Sequence, residues 1–299
     1  MTPLSSILED GANACTGVGT GIEIYPLCDY ILQSVFLRMT GAQEQKLKCI
    51  CWEMATNDFE YRYEYIKMAK SDYGEFSTYS QKNNVYTQLL DEIRKCNPHF
   101  KVEDIYWIDN GSTALQKLLL EKEYLLRIKD KLDSNANRAS LSGEAKERIK
   151  ENIKKECEKN RVAILAKGFR RLFVIGLNHA MAHALKDTIL AIGEQRNFSY
   201  CMDEITKLRV DTFATNGNLL GEDLKQLYEN DVIKHRHRCA HNLTSYQQNL
   251  PTLDSLADKE HPYHNYYFRF MILILIDEIF MRLYEEYTES LKRTGSYVH

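Results

Sequence analysis

The stretch KHRHRCAHN, Lys234 to Asn242, holds three of the chain's nine histidines, His235, His237 and His241, and two arginines, Arg236 and Arg238. Imidazole titrates near neutral pH and moves a proton in either direction. Guanidinium stays cationic and grips phosphate oxygens with a planar fork. One of each, held together, is a minimal half-site for metal-free cleavage of RNA. The histidine serves the 2′-hydroxyl or the leaving oxygen, and the arginine stabilises charge on the phosphate. Arg236 and His241 are the candidate pair. His237 is the neighbour that orients the site, and Lys234, Arg238 and Asn242 are candidate contacts to the RNA backbone, which carries little sequence information.

Histidines also bind metal. His237 and His241 stand at i, i+4, as do His179 and His183, and His261 and His264 lie downstream. A zincin helix needs a glutamate after the first histidine and a third ligand. Arg238 and Ala180 occupy those positions here. Arg236 and Arg238 would also set two fixed positive charges beside a dication. No metal and no cofactor is therefore expected, and His179 and His183 read as polar residues on a helix surface or helix contact. Phosphate-cradling glycine loops and the G-x-S-x-G nucleophile elbow are missing from the sequence.

The elements that must position these residues are helical. With 44% hydrophobic and 27% charged residues, 14 glycines and 5 prolines in 299, the chain has the profile of a folded, helix-rich protein. A net charge of −3 supplies no global field toward nucleic acid, so any such contact must be local. Eight cysteines without a C-x-x-C pair, and no secretory signal, read as reduced thiols in the cytoplasm. The longest apolar run, FMILILI from Phe270 to Ile276, is too short to span a bilayer, so no membrane partner is expected.

Periodicity predicts a helix after Pro26, a second through Leu47, Ile50, Cys51 and Met54, and a shorter one closed by Asn97-Pro98. Ser112 is placed to cap the next. One long charged helix is expected from about Leu141 to Val174, with its charges on a solvated face, and Gly176 is expected to bend or break the chain after it. A helix follows through Leu224, Leu227 and Tyr228 into the histidine cluster, and the last, about Asn265 to Lys292, belongs in the core. The fold class is all-α, a helical bundle. Poor order is expected for residues 1–20, and one domain for 21–299, with a sub-boundary near 97–103 or 134–142. The irregular stretch from Leu243 to His264 is long enough to suggest function, with Tyr246 and Tyr263 placed to stack bases.

On an ideal helix Arg236 and His241 point about 140° apart. Either the arginine reaches round, the helix ends between them, or a second chain completes the site. Spacing alone does not discriminate, since RKCNPH, Arg94 to His99, repeats it. Context does: Pro98 marks a helix end there, whereas RHRCAHN closes a clear helix.

With an all-α chain and one hydrophobic helix after it, RHRCAHN resembles the signature of the HEPN superfamily of ribonucleases: arginine, a polar residue, three or more residues, then histidine. The resemblance maps Arg236 and His241 to the catalytic pair and His237 to the polar position. It implies a helical bundle of HEPN type with additional N-terminal helices. It also implies a homodimer with a composite site, RNA as substrate (single-stranded or tRNA-like), and 2′,3′-cyclic phosphate ends. A toxin or anti-phage defence role follows by the same resemblance, with an antitoxin or defence partner protein. The alternative is a catalytically silent HEPN-like helical module that binds protein or RNA.

Overall fold

The computed structural model describes residues 3–18, 25–72, 76–106, 112–133, 142–185, 213–241 and 266–295. Among them every regular element is a helix, so the protein is all-α. It divides into two compact units, Met1–Ile105 with Val174–His299, and Tyr106–Phe173. The middle of the chain gathers a small core of its own.

Residues expected to be poorly ordered form α1, Leu4–Thr16. Its glycines and alanines mask an apolar stripe. Leu4, Leu8, Gly11, Ala12 and Cys15 recur at helical spacing and are all buried. Gly11 is needed there, since a Cβ would collide with the Val35 side chain. The start of α1 has no side-chain cap of its own. Asp277, far along the chain, accepts from the Leu4 N–H at 3.2 Å and supplies the negative charge a helix start favours.

The two helices predicted after Pro26 are one, α2, Tyr25–Asn57, which passes straight through Gly41. The break comes at Asp58, whose carboxylate accepts from Tyr61 N–H at 2.9 Å and so starts α3, Phe59–Asp72. Arg62 closes the end of α2 by donating to Ala55 O at 2.6 Å and Thr56 O at 3.1 Å.

Helix α4, Tyr79–Cys96, starts at a reciprocal capping box formed by Thr78 and Gln81. A short 3-10 turn, Val102–Tyr106, follows.

The second unit holds α5, Thr113–Asp133, α6, Gly143–Lys159, and the first part of α7, Arg161–Leu185. Ser112 does cap α5, accepting from Leu115 N–H at 3.2 Å. The single long helix predicted here is interrupted at Asn160, the C-cap of α6, and Gly176 does not break α7. Ile153, Cys157 and Ile164 form the unit's buried centre against Leu120, Tyr124, Ile128 and Ile149. The charged positions of α6 are exposed, apart from the half-buried Lys146 and Lys150.

The segment leading to the histidine cluster is α8, Glu222–Leu227, a π-helical turn, Tyr228–Ile233, and α9, Lys234–His241. Last is α10, Tyr266–Thr294. From Phe268 to Asp277 every residue of α10 is buried, and α1, α2, α4 and the π turn pack on it. Among the described residues no helix is long and apolar enough to cross a membrane.

Candidate functional site

Helix α9 has an inner and an outer side. His235 turns inward, its ring edge-on to Phe36 of α2 at 5.1 Å and to Tyr266 of α10 at 5.6 Å between centroids. Its Nε2 lies 3.3 Å from Sγ of Cys239, one turn on. Lys234, His237, Arg238 and Ala240 are exposed, and Lys234 donates to Asn230 Oδ1 at 2.7 Å. The outer face thus carries the basic side chains proposed for backbone contacts, and His237 is among them.

Arg236 lies between the two sides. Its Nη2 sits 2.9 Å from Oε1 of Glu44 on α2, with the side chains 26% and 17% exposed. The arginine is therefore anchored but reachable. Helix α9 is continuous from Lys234 to His241, so it does not end between the two motif residues. Of the three geometries allowed by the sequence, the arginine reaching round and a second chain completing the site remain. The His241 side chain, Asn242 and the segment with Tyr246, His261, Tyr263 and His264 lie outside the described residues, as does the His183 side chain, while His179 is exposed.

The π turn carries α8 into α9. Its hallmark bond runs from Lys234 N–H back five residues to Glu229 O. Such turns are rare in proteins and occur often at functional sites. The turn is held from below: buried Arg269 of α10 donates from Nε to Asp231 O at 3.1 Å and lies over the Tyr266 ring at 5.5 Å. Burial pulls the Arg269 guanidinium below its ordinary range.

Beneath Arg236 is a cluster of charges that motif reading missed. Lys46 of α2 grips both carboxylate oxygens of Asp277 of α10 at 2.7 Å, a pair 9% and 5% exposed. Lys82 of α4 is 2% exposed. Burial pulls its ammonium down to about 7; Glu44 acts to raise it, Arg236 to lower it and Asp277 to raise it. Among the described residues that ammonium has no hydrogen bond and no ion pair. Tyr228, first residue of the π turn, is buried, and its hydroxyl is pushed well above the usual range by desolvation and by Glu44. A sequence signal existed for part of this. Lys82 falls on the apolar stripe of α4, between Tyr79 and Val85, Tyr86, Leu89 and Leu90. Asp277 closes the most apolar run in the chain.

The control motif differs. Arg94 donates to Asn216 Oδ1 at 2.8 Å, and α4 ends at Cys96, so no helix carries it to His99. Among the described residues no group of three or more potential ligands is arranged to hold a metal ion. Comparison with protein-family models, with curated proteins and with solved structures finds no match.

Proposed function

We propose that the protein is a metal-independent RNA endonuclease of HEPN type. Arg236 and His241 act as the catalytic pair, and the enzyme acts as a toxin or anti-phage effector in the cytoplasm. The observation that carries this reading is Arg236 itself. It is fixed by Glu44, yet a quarter exposed, on a helix whose outer face displays Lys234, His237 and Arg238. His241 moves the proton at the 2′-hydroxyl or the leaving oxygen, and Arg236 stabilises the phosphorane charge. His237 orients the site, and Lys234, Arg238 and Asn242 hold the backbone. On a continuous α9 the two motif residues diverge, which favours a homodimer in which two copies complete one site.

A second reading has its own observation. Glu44 already neutralises Arg236. This suits a silent helical module that binds RNA or protein, such as an antitoxin-like partner, through the basic face of α9.

The deciding experiment incubates purified protein with RNA in EDTA and sequences the ends. Cleavage leaving 2′,3′-cyclic phosphate is expected, abolished in Arg236→Ala and in His241→Ala, both still folded, and retained in Arg94→Ala. Cleavage that persists in both motif variants would remove the catalytic assignment. Strict metal dependence would remove the metal-free mechanism, and an absence of cleavage with RNA binding intact would establish the second reading.

A further inference from the structure

Helix α3 buries one side and leaves the other bare. Tyr61, buried, donates to Gln88 Oε1 of α4 at 3.1 Å and stacks on Tyr65. The opposite side carries Phe59, Tyr63 and Ile66, which are 76%, 64% and 51% exposed. At about 100° per residue the three fall within about 60° of arc, so they form one stripe. They expose roughly 350 Å² of side chain, the size of a functional patch rather than of scattered surface residues. On one flank of the stripe stand Glu60 and Lys67, both exposed and about 20° apart around the axis. Among the described residues neither is in an ion pair. Arg62, on the other flank, is already committed to the end of α2.

We propose that α3 pairs antiparallel with α3 of a second copy of this chain, around a two-fold axis at Tyr63. Spacing decides the occupant. Along the helix axis Phe59 lies about 6 Å before Tyr63 and Ile66 about 4.5 Å after it. Glu60 lies about 4.5 Å before and Lys67 about 6 Å after. Turning the helix end for end about Tyr63 therefore sets Phe59 against Ile66 of the second copy and Glu60 against Lys67 of the second copy, each match made twice. The two-fold also keeps the Glu60 and Lys67 flanks of both copies on the same side, so the apolar and charged matches occur together. A parallel pairing would set Glu60 on Glu60 and Lys67 on Lys67. Single-stranded RNA or an anionic membrane would meet the carboxylates of Glu60 and Glu64 beside the aromatics, which repel both. The two stripes bury roughly 700 Å² between them, so the pair is a weak and reversible one. It is independent of the reading of α9, since α2 ends about 20 Å along its axis from Glu44, the partner of Arg236.

The test is sedimentation equilibrium of the full chain up to the high micromolar range, at low salt. A reversible monomer–dimer equilibrium is expected. Tyr63→Glu sets two like charges on the two-fold axis and should weaken the dimer at least about tenfold. Glu60→Lys and Lys67→Glu should each weaken it alone, because each sets like charges against each other at both matches. Mixed together, those two variants should associate as tightly as wild type, since every charged match is then restored. All three positions are exposed, and circular dichroism checks that each variant keeps its helix content. A wild type that is monomeric throughout, a dimer unchanged in Tyr63→Glu, or charge variants that do not associate on mixing would each overturn the proposal. A dimer that Arg236→Ala dissolves and Tyr63→Glu does not would belong to α9 and would overturn it too. So would a monomeric wild type whose binding to a single-stranded RNA oligonucleotide or to phosphatidylserine vesicles is lost in Tyr63→Glu, which would give the stripe to that occupant.

Discussion

Glu44 and Arg236 meet at 2.9 Å across α2 and α9, and that bond joins the cationic motif to the bundle interior. The Glu44 carboxylate is the guanidinium's ion-pair partner. Glu44→Gln keeps a hydrogen-bond acceptor but removes the charge. The expected cost is on the order of 1 kcal/mol in denaturant unfolding, as for a partly exposed pair. In the nuclease reading, cleavage should rise, because Arg236 no longer has to leave a carboxylate. A fall in cleavage with stability unchanged would mean that Glu44 positions Arg236 rather than competing for it.

Lys82 gives a pH signature in stability. Its ammonium is held at about 7 in the fold against an ordinary 10.5. Between those values the unfolded chain binds more protons than the folded one, so this group makes stability rise with pH from about 7 to about 10.5. Below about 7 its full penalty is present. That penalty is on the order of 5 kcal/mol at about 1.4 kcal/mol per pH unit. Lys82→Met should therefore be more stable than wild type at pH 6.5, and the gap should narrow toward pH 10. Chemical denaturation at several pH values reads this directly, and a gap that widens with pH would contradict it.

The buried Lys46–Asp277 pair behaves differently because its partners are satisfied. Asp277→Leu strands Lys46 and also removes the acceptor for Leu4 N–H, so a loss of about 3–5 kcal/mol is expected. Replacing both partners, Lys46→Met with Asp277→Leu, should recover most of it. Urea unfolding of the single and double variants forms the cycle, and an additive double variant would show that the two residues do not depend on each other.

Two glycines in helices should respond with opposite sign. A Cβ on Gly11 would meet the Val35 side chain, so Gly11→Ala should cost roughly 1–3 kcal/mol by forcing α1 off α2. A Cβ on Gly41 meets nothing within 4 Å, so Gly41→Ala in the middle of α2 should stabilise by about 0.5–1 kcal/mol. Thermal melts of the two variants, side by side, check both signs.

Much of the scaffold was legible in the sequence, because helix periodicity and caps act within a few residues of each other. The Ser112 cap, the end of α4 at Asn97-Pro98 and the burial of the last helix all follow from local pattern. Where local cues competed, pattern alone failed. Gly176 suggested a break that α7 does not make, and Asn160 made one inside a segment read as continuous. The N-terminal helix was missed because small residues look disordered until a partner face, with Val35 on it, makes their size an advantage.

The same division holds at the candidate site. The sequence by itself determined the residue types: a cationic, titratable helix with Arg236 and His241 at fixed separation, and an all-α chain to carry it. Only the tertiary structure decided that Arg236 faces Glu44, that His235 rather than His237 is the inward histidine, and that Lys82 of α4 is buried. The reason is physical. A helix sets angles between neighbours along one chain, whereas the sign and strength of a charge interaction depend on which distant helix is packed against it and how much water is excluded.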